Sequence, residues 1–146
     1  MKFKKILVPL DGSETAEKAI PYVITEAQVH GASVLLLRAI APLRRSLSKS
    51  PSILGKIYEQ VDSIAMDYLE KIIKAIQAEG IKVESMIEHG TPAQTIIDVA
   101  QQKECDLIIL GSHGETNASQ WRIGSVADKV LKARSKFSIL LVTTKE

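Results

Sequence analysis

Short apolar runs alternate with longer amphipathic stretches along the chain, and the two patterns predict different elements. Four apolar runs predict strands covered on both faces, as in a parallel sheet: residues 4–9, 33–40, 106–110 and 137–143. Between Ile81 and Glu88 apolar residues alternate with mostly charged ones. This period of two predicts a half-exposed strand at an edge of the sheet.

Four stretches have apolar residues spaced three and four apart, which predicts helices lying on that sheet. Their apolar positions run from Ala16 to Ala27, Leu54 to Ile76, Ala93 to Ala100 and Ala127 to Leu131. Gly31 is expected to end the first helix as a left-handed cap, and Gly80 to stop the second. Residues 42–51 are rich in serine and contain Arg44 and Arg45, which favours a solvated loop over a binding patch.

Five strands alternating with four helices predict an α/β fold, a three-layer doubly wound parallel sheet with strand order 3-2-1-4-5. In such a sheet ligands bind beyond the carboxyl ends of the strands, at the switch point between strands 1 and 4. The loop Pro9-Leu10-Asp11 after strand 1 and the loop from Gly111 after strand 4 meet at that point. The 146 residues, 1–146, fit a single domain.

Composition narrows the classes of function. The formal net charge is only +2, so no nucleic-acid partner is expected. No apolar run reaches the 18 residues of a membrane span, and the apolar run after the basic N-terminus is too short for a signal peptide. The single cysteine, Cys105, excludes an internal disulfide. We therefore expect a cytoplasmic protein with no membrane association. No cluster of side chains has the spacing of a metal site.

The strongest candidate for chemistry is a glycine-bearing loop after strand 4. It reads Gly111-Ser112-His113-Gly114, then nine residues, then Gly124-Ser125-Val126 at the start of a helix. Backbone N–H groups at such a turn and helix start are able to bind a phosphate, with Ser125 placed as the N-cap. The same residues fit a capped helix with no ligand, and the spacing alone does not decide between the two.

This spaced glycine motif resembles the ATP-binding motif of the universal stress protein family. The resemblance continues in residues 4–13, in Gly90-Thr91-Pro92 and in the last apolar strand, so it covers nearly the whole chain. It implies an adenine nucleotide alpha-hydrolase-like fold with the strand order inferred above. It also implies ATP at the switch point and a tendency to dimerise.

The resemblance assigns roles to individual residues. Pro9, Leu10 and Ala39 would form the adenine wall, where Ala39 replaces a valine common in the family, and Asp11 would lie near the adenosine. Asp11 also fits a helix-capping role with Glu14, and the two roles are compatible. The ribose and phosphates would contact the loop and helix start: Leu110, Gly111, Ser112, His113, Gly114, Gly124, Ser125 and Val126. For His113, filling the loop is favoured over catalysis, and no catalytic residue is assigned. Mg²⁺ or Mn²⁺ would be held mainly through the phosphates.

The expected function is an ATP-binding universal stress protein that acts as a regulatory or signalling module. The alternatives are an enzyme on the same scaffold, either ATP-hydrolysing or adenylyl-transferring, and a dimeric scaffold without nucleotide. Catalysis is expected to be at most slow ATP hydrolysis or autophosphorylation, since no base or strong cationic clamp accompanies the motif. The last strand, which begins at Phe137 and ends at Thr143, is apolar on both faces at a sheet edge, so we expect a homodimer through it.

Overall fold

The five predicted strands form one parallel sheet in the computed structural model, which describes residues 1–42, 50–112, 123–133 and 136–143. The strands are β1 (Lys5–Pro9), β2 (Ser33–Ile40), β3 (Val83–His89), β4 (Leu107–Gly111) and β5 (Ser138–Val142). Their order across the sheet is β3-β2-β1-β4-β5, and every neighbouring pair is parallel. The predicted fold class and strand order are confirmed, with β3 and β5 at the two edges.

Helices cover both faces of the sheet. They are α1 (Glu14–Glu17), α2 (Ile20–His30), α3 (Pro51–Gln77), α4 (Pro92–Gln102) and α5 (Ser125–Lys132). Along β1 the buried side chains alternate: Ile6 and Val8 pack with α2 and α3, whereas Leu7 packs with α4 and α5. The protein therefore has two apolar cores, one on each side of the sheet, as strands buried on both faces require.

The strands β1 and β4 pair over a shorter length than β1 and β2. β1 is in register with β2 over five residue pairs, but with β4 over only two, Ile6 with Leu107 and Leu7 with Ile108. Pro9, at the end of β1, has no N–H to donate to a ladder. The sheet therefore opens between β1 and β4 toward their carboxyl ends.

The prediction of a single continuous first helix is wrong, because the helix is broken in two before Pro21. Proline lacks an N–H, and inside a helix its ring would clash with the carbonyl group four residues earlier, that of Glu17. α1 therefore ends in a tight turn, in which Lys18 N–H donates to Thr15 O at 3.3 Å. α2 then starts afresh with Pro21 in its first turn, where the missing N–H has no cost.

The remaining helices mostly follow the prediction. Gly31 ends α2 with φ of 64°, and Gly80, with φ of 78°, follows the end of α3. α3 begins at Pro51, three residues before the predicted start, and residues 43–49 of the predicted loop lie outside the described residues. Leu131 was expected to face inward, but its side chain is exposed, because the buried face of α5 is formed by Ala127 and Val130.

At the amino-terminal end of the sheet, Asp106 ties β1 to β4. One carboxylate oxygen, Oδ1, accepts from Lys5 N–H at 3.0 Å, and Oδ2 accepts from Lys4 N–H at 2.9 Å. These charge-assisted hydrogen bonds satisfy two backbone donors at the start of β1. They hold the two strands together at the end opposite to the one where they separate.

The described helices were also compared with the dimensions of a bilayer. None of them combines the length and the apolar character that crossing a membrane requires.

We predict that Glu104→Gly stabilises the protein. Within the described ranges Glu104 is the one non-glycine residue with positive φ, at 54°, just after α4. A side chain in the left-handed region is strained, so glycine should raise the free energy of unfolding by about 0.5–1 kcal/mol. Urea unfolding measures the change.

The neighbouring substitution Lys103→Gly is the matched control, since Lys103 has φ of −92° and gains nothing from glycine. An equal effect of both substitutions, or a loss of stability in Glu104→Gly, would contradict the prediction.

Candidate functional site

A cleft of about 360 Å³ opens at the carboxyl ends of β1, β2 and β4, where the sheet separates. Ten of the twelve residues predicted for the site line it: Pro9, Leu10, Asp11, Ala39, Leu110, Gly111, Ser112, Gly124, Ser125 and Val126. The other two, His113 and Gly114, lie outside the described residues. Segments that are more than a hundred residues apart in the chain thus meet in one cleft.

The loop after β1 is fixed by a short series of hydrogen bonds. Leu10 N–H donates to Leu37 O at 2.9 Å, which holds the end of β1 against β2. Asp11 Oδ1 accepts from both the N–H and the hydroxyl of Ser13, and Ser13 Oγ accepts from Ala16 N–H at 3.1 Å. Ser13 is therefore the N-cap of α1, and Asp11 orients it rather than capping the helix itself.

The second carboxylate oxygen of Asp11, Oδ2, has no hydrogen-bond partner among the residues that the structure describes. Because Oδ1 is bound to Ser13, the carboxylate has a fixed orientation and keeps one free acceptor. Asp11 is thus able to accept a hydrogen bond from a ligand in the cleft.

On the other side of the cleft, Ser112 joins three elements through its backbone. Its N–H donates to Val142 O of β5 at 2.8 Å, and its carbonyl oxygen accepts from Gly124 N–H at 2.6 Å, at the start of α5. Ser112 is only 5% exposed. The bond to Gly124 brings together the two described parts of the glycine motif, and the bond to Val142 attaches them to β5.

The prediction that Ser125 is the N-cap of α5 is wrong by one residue. The N-cap is Gly124, which has no side chain to cap the helix, and Ser125 is the first helical residue. The first N–H groups of a helix lack partners within it. Ser125, Val126 and Ala127 all line the cleft at this helix start, so the cleft is bordered by backbone donors at the positive end of a helix dipole.

Several residues of the cleft were missed by the sequence analysis. Pro92 and Ile96 of α4 add to the apolar wall, and Arg38 of β2 adds a cation. A signal for Arg38 was present in the sequence, since it is the one charged residue in the apolar strand β2. Pro92 belongs to the Gly90-Thr91-Pro92 segment that shares the family resemblance, but no comparable signal marks Ile96, which reaches the cleft through the packing of α4 on the sheet.

Beside the cleft, the hydroxyl group of Tyr68 on α3 is buried and has no hydrogen-bond partner in the described part of the chain. Burial, followed by the nearby carboxylates of Glu17 and Asp11, raises the pKa of Tyr68 to about 12, against the lowering effect of the positive charge of Arg38. Tyr68 therefore stays neutral, among charged groups that include both charged residues of the described cleft wall.

The two described histidines lie away from the cleft. His30 Nδ1 accepts from Phe3 N–H at 3.3 Å, and its Nε2 lies 3.2 Å from a Glu26 carboxylate oxygen. His89 Nε2 lies 2.9 Å from Asp62 Oδ1. Neither lines the cleft, and no group of three or more metal-ligating side chains occurs among the residues described.

A five-stranded parallel sheet in the order β3-β2-β1-β4-β5, with helices on both faces and a cleft at its switch point, defines the protein as a doubly wound α/β protein. A family model described as "Universal stress protein family" matches residues 2–143. The chain belongs to the universal stress protein family, as the glycine motif indicated.

Individual relatives agree with this assignment. The chain is 33% identical to the universal stress protein MJ0577 of Methanocaldococcus jannaschii, over 98% of this chain and 96% of that protein. The solved structure of MJ0577 is similar to this one with a TM-score of 0.89, covering 100% of this chain and 99% of the other.

Two further solved structures share the fold. One is a universal stress protein in complex with cAMP, 22% identical, with a TM-score of 0.74, covering 99% of this chain and 100% of that one. The other is the universal stress protein from Archaeoglobus fulgidus in complex with dAMP, 23% identical, with a TM-score of 0.65, covering 97% of this chain and 98% of that one. At these identities the likeness is one of fold.

We predict that the thiol of Cys105 is unreactive in the folded protein. Cys105 lies just before β4, at the end of the sheet opposite to the cleft, and it is 6% exposed. Burial raises its pKa from 9.0 to about 11, with Lys5 lowering it and Asp106 raising it. A thiol-disulfide reagent at pH 8 should react about 100-fold more slowly with the native chain than with the chain in guanidinium, because the thiolate is the reactive form.

The same pKa shift predicts a pH dependence of stability. The folded state holds this proton more tightly than the unfolded state, so its stabilising effect is complete below pH 9 and is lost as the pH rises toward 11. The Cys105→Ala variant should show a shallower decline of the free energy of unfolding over this range. This account would be contradicted if the thiol of the native chain reacted within tenfold of the rate in the unfolded chain. It would also be contradicted if the free energy of unfolding declined equally with pH in the wild type and in Cys105→Ala.

Proposed function

We propose that the protein is a cytoplasmic ATP-binding regulatory module, with ATP bound in the cleft between β1 and β4. One observation carries this proposal. The turn Gly111–Ser112 and the start of α5 converge on one side of the cleft, and the Asp11 carboxylate lies on the other. Around one cleft, this arrangement offers backbone donors to a phosphate and an oriented acceptor to a ribose.

Each part of ATP would find groups of matching chemistry. The adenine ring would pack against the apolar side chains of Pro9, Leu10 and Ala39. A ribose hydroxyl would donate to Asp11 Oδ2, and the phosphates would accept from the N–H groups and hydroxyl at Ser125 and Val126. Two proteins of the same fold have been solved in complex with cAMP and with dAMP, which supports an adenine nucleotide as the ligand.

A divalent cation fits the proposed site only as a companion of the phosphates. The part of the chain that the structure describes offers no group of three metal-ligating side chains. Mg²⁺ or Mn²⁺ would be bound through the phosphate oxygens and water, as Mg²⁺ commonly is with nucleotides. The residues themselves would bind and orient the nucleotide.

The proposed role is binding rather than rapid turnover. Fast phosphoryl transfer to water uses a group that orients the water and cations on the γ-phosphate. Among the described residues of the cleft wall, the charged side chains are Asp11 and Arg38, and Asp11 is assigned to the ribose. We therefore propose a signalling function controlled by nucleotide occupancy, with ATP hydrolysis slow or absent.

The test is ATP titration of the purified chain. Calorimetry, or the fluorescence of the single tryptophan Trp121, should show saturable binding of ATP with no multiple-turnover release of ADP. Gly124→Val should weaken binding at least about tenfold, because its side chain would enter the cleft beside the helix start, where a phosphate must approach the backbone.

Gly55→Val is the matched control, since Gly55 lies in α3 and a Cβ there meets no atom within 4 Å. It should bind ATP as the wild type does. If the folded Gly124→Val variant binds ATP with unchanged affinity, the site assignment is wrong, and steady release of ADP would favour an enzyme instead.

We also propose a homodimer formed through β5. This strand is an edge of the sheet, and its apolar side chains Ile139, Leu140 and Leu141 are only partly buried. Ser138 N–H points inward, donating to Asp106 O at 2.9 Å, so by alternation the N–H of Ile139 points to the open edge. An apolar edge strand whose outward backbone donors meet no further strand of the described sheet favours pairing with a second copy across a two-fold axis.

Light scattering at micromolar concentration should therefore give the mass of a dimer. Ile139→Lys should shift the protein toward the monomer, because two lysines would then meet at the paired edges. Ile64→Lys adds the same charge at a side chain that is 67% exposed on α3, and it should stay dimeric. A monomer mass for the wild type would rule out this interface.

A further inference from the structure

The charge of the cleft wall rests on two side chains in the described part of the protein. Arg38 is the one lysine or arginine among the described residues that line the cleft, and Asp11 is the one carboxylate. Without Arg38 the described wall would carry a net negative charge, which opposes the binding of a phosphate.

Arg38 is held at the cleft by the strand that carries it. It lies near the carboxyl end of β2, in register with Ile87 of β3. Its side chain emerges on the same face of the sheet as that of Leu36, toward α2 and α3, since side chains alternate along a strand. On that face the hydroxyl of Tyr68 lies close enough to both Arg38 and Asp11 for their charges to act on it.

The guanidinium of Arg38 is not neutralised within the described part of the chain. No carboxylate there lies within 4 Å of it, and the Tyr68 hydroxyl makes no hydrogen bond to it. Arg38 is partly buried, so its field is screened less than that of a surface charge. A cation beside a cleft with no counter-ion among the described residues attracts an anionic ligand.

We propose that Arg38 determines the charge specificity of the cleft, so that the site selects the anionic nucleotide over the neutral nucleoside. This inference rests on the nucleotide binding proposed above and assigns to Arg38 a role that the glycine motif does not supply. Arg38 offsets the repulsion between Asp11 and the phosphates, and its contribution grows with the number of negative charges on the ligand.

The experiment measures the affinity of the full chain for adenosine, AMP and ATP by calorimetry, with EDTA present and the ionic strength fixed near that of a low-salt buffer. Arg38→Met removes the charge and keeps a long apolar side chain. This substitution should weaken the binding of ATP about tenfold, that of AMP by a smaller factor, and that of adenosine by less than about twofold. Arg38→Lys keeps the charge and should retain most of the affinity for ATP.

Lys82→Met is the matched control, because it changes the net charge by the same amount at the opposite end of the sheet, before β3. It should leave the three affinities within about twofold of the wild type. Circular dichroism and urea unfolding establish that the variants are folded, and Arg38→Gln replaces Arg38→Met if the latter is not.

Each remaining result overturns the inference in a recognisable way. Equal weakening of adenosine and ATP in Arg38→Met would mean that Arg38 contacts the nucleoside, and unchanged ATP affinity would mean that its charge is irrelevant. In both cases the wild type still binds ATP, so the proposed function stands and only the role of Arg38 falls. A wild type that binds none of the three ligands would refute the proposed function, and this inference with it.

Discussion

The separation of β1 from β4 is the constraint on which the rest of the site depends. The two strands pair only at Ile6 with Leu107 and at Leu7 with Ile108, whereas β1 follows β2 over five pairs. The ladder stops two residues before Pro9, which has no N–H to continue it. At this switch point the connections leave toward opposite faces of the sheet, so none of the helices described covers the gap, and the cleft begins where the ladder ends.

The groups around the gap are positioned by backbone hydrogen bonds rather than by long side chains. Leu10 N–H is bound to Leu37 O, and Gly124 N–H is bound to Ser112 O. The Asp11 carboxylate is oriented by Ser13, which also caps α1. In the described part of the site, these groups are therefore positioned by the protein's own hydrogen bonds.

The sequence was a good guide to whatever depends on local pattern. Four apolar runs and one alternating segment located all five strands to within one or two residues, because burial determines both patterns. The observed strand order is the simplest one for a doubly wound sheet with right-handed crossovers. Nine of the ten described residues of the predicted site could also be found, since the glycine motif and the loop after strand 1 have fixed positions in such a topology, and the family resemblance supplied the tenth, Ala39.

The sequence was a poor guide where a single residue determines the end of a helix, and where the contacts join residues that are far apart in the chain. Pro21 broke a helix whose apolar periodicity runs straight through it, and the N-cap of α5 fell on Gly124 instead of the adjacent Ser125. The places of Arg38 and Tyr68 beside Asp11 depend on how α3 packs over β2, and no pattern along the chain records that packing.

The backbone of Ser112 links the edge of the sheet to the border of the cleft through two hydrogen bonds. Val142 O, in the edge strand β5, is joined to Ser112 N–H, and Ser112 O is joined to Gly124 N–H at the start of α5. The two peptide groups that flank Ser112 therefore connect the edge strand β5 directly to the start of α5. A displacement of β5 along the sheet must either break one of these two short bonds or carry the first turn of α5 with it.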